Sequence, residues 1–221
     1  MTRKVVLTGA DLSLILPGSW AVIPLQGIDQ ATSRISALIK KQLGRNDRLA
    51  GMRRELKQSL IESVKEAHDI GAVGLAISLE ILPGIPFPAS LVILPLDWPR
   101  TETEPTASVA QRLLAAHPGS ELVDSSEDRP MVRRHELVTT TYETESSKDL
   151  KINYWLPVGD GSSLARVYVK APMAHTPELW LELFDTIVGS LGWVNRDSDD
   201  DVDTDAAVTT DTAVTKELAR G

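Results

Sequence analysis

Apolar and polar positions alternate twice between Lys151 and Ala171, and Gly159-Asp160-Gly161-Ser162 separates the two runs. In the first run Ile152, Tyr154, Leu156 and Val158 fall on one side, and in the second Ala165, Val167, Val169 and Ala171 do. A period of two puts alternate side chains on one face of a strand. Glycines at a short polar link supply the backbone freedom of a tight turn, so the pattern predicts a β-hairpin. The period then changes to that of a helix. Leu179, Trp180, Leu183, Phe184, Ile187, Val188 and Leu191 form a broad apolar stripe. Thr176 is placed to cap this helix, Pro177 to occupy its first turn and Glu178 to complement the positive end of its dipole. Gly192 is the expected stop, with Trp193 folding back against the body.

The same reading extends toward the N-terminus. Residues 12–16 and 20–25 predict two short strands joined as a hairpin around Pro17-Gly18-Ser19. Ala31, Ile35, Leu38, Ile39 and Leu43 then step at helical spacing between Asp29, a cap, and Gly44, a stop. A longer helix follows from Asp47, with Leu49, Met52, Leu56, Leu60, Val64 and Ala67 on its apolar line and Gly71 at its end. Residues 72–82 and 89–98 are largely apolar on both sides, as expected of strands central in a sheet. Between them Pro83-Gly84-Ile85-Pro86-Phe87-Pro88 reads as a rigid connection outside the ladder, because proline lacks the donor N–H. A short helix is predicted from Thr106 or Ser108 through Leu114, closed by His117-Pro118-Gly119. Residues 120–126 and 131–144 add strand-like runs. Consecutive strands joined by polar turns imply an antiparallel meander. The expected fold class is α+β, with a mainly antiparallel sheet of about 6–7 strands and helices packed on its faces.

Composition adds a boundary. The chain has 221 residues, 42% of them hydrophobic, which suits one domain with a sizeable core. Of its net charge of −8, residues 196–221 contribute −5, from eight acids and three bases. That segment has no aromatic residue and repeats Thr, Ala and Val. We therefore expect one α+β domain over 1–195 and a disordered acidic tail over 196–221. The remaining −3 is too nearly balanced to favour nucleic acid, which needs a basic surface. No cysteine is present, which excludes disulfides, thiolate metal sites and a cysteine nucleophile. The apolar run after Met-Thr-Arg-Lys is interrupted by Gly9, Asp11 and Ser13, unlike a secretory core, and Leu91–Leu96 is of strand length, so we expect a cytoplasmic protein with no membrane segment.

Candidate chemistry is sparse. The histidines, His68, His117, His135 and His175, have no metal-ligand spacing. His68 reads as a helix-end cation, and His117 and His175 as turn residues. Arg133-Arg134-His135-Glu136 on a predicted strand is more suggestive, since two guanidiniums bind phosphate or carboxylate well. A solvent-facing strand with cross-strand ion pairs explains the same residues more simply. The acidic run Asp197–Asp205 fails as a calcium loop, because Val202 and Val208 stand where glycine and a carboxylate are required. Gly159–Ser162 joins two strands and has no following lysine, so it is a turn and not a phosphate loop. No serine lies in a G-x-S-x-G elbow. Asp185 is expected at the edge of its helix. No catalytic, cofactor-binding or metal-ligating residue can be assigned.

The order of short signatures carries a resemblance. Trp20 to Pro24 reads W-x-x-I-P, the long helix ends H-D-I-G-A-V at 68–73, and P-F-P-A-S-L-V-I follows at 86–93. Y-W-L-P-V at 154–158 and F-D-T-I-V-G-S-L-G-W at 184–193 complete it. This resembles a group of uncharacterised proteins from high-GC Gram-positive bacteria with a PsbP-like α/β sandwich. The resemblance implies an antiparallel sheet with helices on its faces. PsbP-like proteins include a photosystem extrinsic subunit, a nuclear-import factor that binds a small GTPase, and bacterial lipoproteins, so it implies binding and not catalysis. It transfers no site residue. The expected function is therefore a non-catalytic protein-binding module, with Trp98 and the proline-rich connection as candidate contacts. The alternative is a small-molecule or anion-binding domain using Arg133, Arg134 and His135 beside Trp155 or Tyr168. An enzyme with an unrecognised site comes third.

Overall fold

A computed structural model describes residues 2–7, 12–43, 50–82, 85–86, 89–99, 107–123, 129–142, 145–159, 161–172 and 176–193. Along the chain these form β1 (Thr2–Leu7), β2 (Leu12–Pro17), β3 (Ser19–Ile23), α1 (Ile28–Leu43), α2 (Ala50–Asp69), β4 (Gly74–Leu82), β5 (Ile85–Pro86) and β6 (Ser90–Leu96). They continue as α3 (Val109–Ala116), β7 (Glu121–Val123), β8 (Met131–Tyr142), β9 (Glu145–Val158), β10 (Ser163–Ala171), α4 (Pro177–Gly189) and β11 (Gly192–Trp193). The main sheet runs β3-β4-β6-β10-β9-β8-β7, with β5 beside β4. Every neighbouring pair in it is antiparallel. A smaller sheet runs β1-β2-β11. The α+β class and the antiparallel sheet are as expected, and the sheet is open.

Alternation along the strands divides the main sheet into two faces. On one face Ile152, Tyr154 and Leu156 of β9 stand opposite Val169, Val167 and Ala165 of β10. These pack with Leu91 and Ile93 of β6, with Leu12, Leu14 and Leu16 of β2, and with Leu181, Phe184, Ile187 and Val188 of α4. This is the principal core, and each large apolar side chain removed from water in it contributes about 1.5–3 kcal/mol. The other face is covered unevenly. Ala31, Ile35 and Ile39 of α1 and Val64 and Ala67 of α2 lie over Ala21, Ile23, Leu75 and Leu94 at the β3-β4-β6 side. At the far side Leu113 of α3 covers Val132, Trp155 and Leu164.

Several local expectations are corrected. Residues 12–23 are not a hairpin: β2 and β3 belong to different sheets, and Pro17-Gly18 is a corner between them. Gly18 has φ 71°, the left-handed conformation that glycine adopts without cost. A Pro-Gly corner has the same sequence whether the chain folds back or changes sheet; the partner decides. That partner is β1, which pairs with β2 along its whole length. The proline-rich connection is not wholly outside the ladder, because Ile85 and Pro86 pair with β4. Strand edges tolerate proline, whose missing donor can face outward. α4 ends at Gly189 with Ser190 as its cap, so Gly192 is not the stop but a strand residue paired to Ser13. Thr176 is the N-cap residue, but its side chain makes no capping bond. Leu179 is 62% exposed and is not part of the buried stripe. The suggested caps at Gly44 and Asp47, His175 and the acidic tail 196–221 lie outside the described residues.

Candidate anion site on the sheet face beside α3

The run Arg133-Arg134-His135 does not act as one group, because a strand sends neighbouring side chains to opposite faces. Arg133 and His135 face the principal core. Arg133 donates to Glu121 Oε1 from Nε and Nη2 at 3.0 and 2.8 Å and from Nη1 to Asp185 Oδ2. His135 Nδ1 lies 3.5 Å from Glu121 Oε1. Tyr154, from the neighbouring strand, donates its hydroxyl to Asp185 Oδ1 at 2.8 Å. Asp185 is therefore not at a solvated helix edge; it joins α4 to the sheet. Burial, then the Asp185 charge, pushes the Tyr154 phenol far above its ordinary pKa. Burial by itself would lower the pKa of Arg133, but its bonds to Glu121 and the charge of Asp185 outweigh this and raise it. The group is a structural network in which Arg133 and Tyr154 bind the Asp185 carboxylate and Arg133 also binds Glu121.

Arg134 points to the other face, where it meets Trp155. Antiparallel pairing sets Arg166 directly opposite Trp155 and Arg134 opposite Asn153. The Arg134 and Arg166 guanidiniums lie 5.7 and 6.0 Å from the Trp155 ring centroid. Arg166 is steered by Asn153, whose Oδ1 accepts from Nε at 2.9 Å and from Nη2 at 2.6 Å. His117 stacks on Trp155 with centroids 4.2 Å apart and planes 15° apart. It is held there as the C-cap of α3, donating its N–H to Leu113 O while its own carbonyl accepts from Ser120. The helix itself is fixed by a capping box between Ser108 and Gln111. Trp98 packs against the same small cluster and donates from Nε1 to Gly161 O at 2.8 Å. Arg112 of α3 sits 4.1 Å over its ring.

Three guanidiniums and an imidazole thus surround two indoles. Among the described residues none of Arg112, Arg134 and Arg166 is in an ion pair. Aromatic faces stabilise such cations by about 0.5–1 kcal/mol at exposed sites, too little to neutralise them. His117 Nε2 is buried with no hydrogen-bond partner among the described residues. Burial, followed by the charges of Arg134 and Arg166, lowers the His117 pKa below 6.5. The folded state therefore binds the His117 proton less readily than the unfolded chain does. Stability is expected to fall as pH drops through about 6.5 toward the lowered value. Urea unfolding of the His117→Gln variant between pH 7.5 and 5 should show a shallower loss; an unchanged slope would remove His117 as its source.

Of the residues singled out in sequence, Arg134, Trp155 and Trp98 come together on this face, while Arg133 and His135 are on the other. Tyr168 shares the face of Trp155, opposite Asn153. Burial, then the Glu136 charge, raises its pKa. His117, Arg112 and Arg166 were not anticipated. Arg166 was within reach of sequence reasoning, since counting outward from the Gly159–Ser162 turn sets it opposite Trp155. Among the described residues no group of three metal-ligating side chains is placed to hold an ion, and no helix is long and apolar enough to cross a membrane.

The fold and this face define an α+β protein with an open antiparallel sheet and a cationic, aromatic-lined patch. No protein-family model matches the chain, and no curated protein matches it either.

Proposed function

We propose that the protein is a non-catalytic binding domain for a small oxyanion, held by Arg134 and Arg166 with His117 and Arg112 beside them. One observation carries this reading. The Arg134 and Arg166 guanidiniums lie 5.7 and 6.0 Å from the ring of Trp155, on which His117 stacks, with no carboxylate paired to them among the described residues. Guanidinium forks suit phosphate and carboxylate groups, and hydrogen bonds to charged groups contribute about 1.5–3 kcal/mol each. The three guanidiniums are donors and not nucleophiles, which favours holding an anion over transforming it. The resemblance to PsbP-like proteins supports binding in the same general way. Trp98 enters the proposal as part of this patch, its indole N–H directed to Gly161 and its ring under Arg112. A protein partner fits the proposal as the carrier of the anionic group.

Calorimetric titration with inorganic phosphate at low salt tests the reading. Arg134→Gln and Arg166→Gln should each weaken binding about tenfold or more, in line with the loss of one charge-assisted contact. Affinity should fall with added salt. Arg133→Gln, on the other face, should leave phosphate affinity unchanged in the folded fraction. Equal phosphate affinity in the wild-type and Arg134→Gln proteins would refute the assignment.

A further inference from the structure

We propose that residues 197–205 of this same chain occupy the Arg134–Arg166 patch and compete with free oxyanions for it. The inference rests on the anion-site reading above. Its first support is charge. Asp197, Asp199, Asp200, Asp201, Asp203 and Asp205 put six carboxylates in nine residues. The patch opposite them holds Arg112, Arg134 and Arg166 with no carboxylate paired to them among the described residues.

The second support is the position of β11, from which residues 197–205 are a short link away. β11 ends at Trp193, paired with Leu12 at the start of β2. Two residues earlier, the carbonyl of Leu191 accepts from the Arg129 guanidinium. Arg129 leads directly into β8, and Val132 of β8 is paired with Trp155. β11 therefore lies near the start of β8, on the face of the main sheet opposite the patch. Packed layers are separated by about 10 Å. Asp197 and Asp205 are four and twelve residues beyond Trp193. An extended chain spans at most about 3.3–3.6 Å per residue, so these carboxylates reach roughly 13–43 Å from Trp193. That is enough to round the sheet edge and lie on the patch.

Other basic side chains are less suited. Lys40, Lys41 and Arg54 belong to α1 and α2, which cover the β3-β4-β6 side of the sheet. They are exposed, and no aromatic ring is stacked on them among the described residues. A fully solvated cation binds a carboxylate weakly. The patch differs in having its guanidiniums set against indole rings and a buried imidazole. Tethering also matters, because a segment joined by a short link acts at an effective concentration of about millimolar. Weak pairwise contacts are then sufficient for occupancy. The plainer role of an acidic tail is solubility, and the two roles differ in what neutralisation does to ligand affinity.

The experiment uses the full chain with Asp197→Asn, Asp199→Asn, Asp200→Asn, Asp201→Asn, Asp203→Asn and Asp205→Asn combined. Inorganic phosphate is titrated into this variant and into the wild-type protein at low ionic strength. Competition predicts that the neutralised chain binds phosphate about tenfold more tightly, with the difference shrinking as salt screens the tail. In the wild-type protein the amide resonances of residues 197–205 should also shift on adding phosphate, toward their positions in Arg134→Gln/Arg166→Gln. Equal or weaker phosphate binding by the neutralised chain overturns the inference and leaves the anion site standing. Absence of phosphate binding in both proteins defeats the anion-site reading, and this inference with it.

Discussion

Asp185→Ala is expected to lower the free energy of unfolding by about 3 kcal/mol, within the range for removing one partner of a buried charged network. The substitution deletes no apolar surface of consequence. Its cost comes from what remains. The Tyr154 hydroxyl, on a residue with no solvent exposure, loses its acceptor. Arg133 keeps its charge and retains Glu121, which is half exposed and shared with His135. Tyr154→Phe should cost less, about 1 kcal/mol, because it removes one hydrogen bond and leaves Asp185 paired with Arg133. Urea denaturation of both single variants and the double variant gives the coupling. A non-additive result is expected, since the two groups share one bond. A loss below about 1 kcal/mol for Asp185→Ala would mean that the network is solvated and does not join α4 to the sheet.

Phe184→Ala, one residue earlier, is expected to cost about 4 kcal/mol and to lower the melting temperature by about 10 °C. Phe184 has no solvent exposure and packs in the core shared by α4, β2 and the main sheet. Truncation leaves a void that close-packed neighbours cannot fill, so lost contacts add to lost burial. Leu179→Ala on the same helix is the control. Leu179 is 62% exposed, and its truncation should change stability by less than about 0.5 kcal/mol. Comparable effects at the two positions would contradict the orientation of α4. The adjacent residues Phe184 and Asp185 thus hold the same helix by different means, one by burial and one by pairing.

The helices and the β9–β10 hairpin were legible because their signals are local. Ile152, Tyr154, Leu156 and Val158 advertise one face by period two, and the register follows from the short turn at Gly159–Ser162. Ala31, Ile35 and Ile39 mark a helix by period 3.6, and all three are buried as that stripe requires. The corner at Pro17-Gly18 reads as a hairpin in sequence because turn chemistry reports a change of direction and not the identity of the partner strand. Asp185 reads as a helix-edge residue in sequence because a carboxylate inside an apolar stripe is unfavourable without partners, and Arg133 and Tyr154 are 52 and 31 residues away. The candidate site was half legible. Arg134 and Trp155 stood out by residue type, but His117 looked like an ordinary turn residue before a Pro-Gly pair.

By itself, the sequence determined the periodicities, the β9–β10 turn, the α+β class and the charge contrast between residues 196–221 and the rest. These depend on neighbours a few positions apart, where backbone geometry alone relates one side chain to the next. The tertiary structure decided which strands share a sheet, which side of β8 each arginine serves, and that His117 stacks on the Trp155 ring that Arg134 and Arg166 also approach. Those relations join residues tens of positions apart, and they are set by the packing of whole faces. Moving Arg133 and His135 into a structural network, and leaving Arg134 with Arg166 on the opposite face, is a consequence of strand alternation once β8 has found β7 and β9.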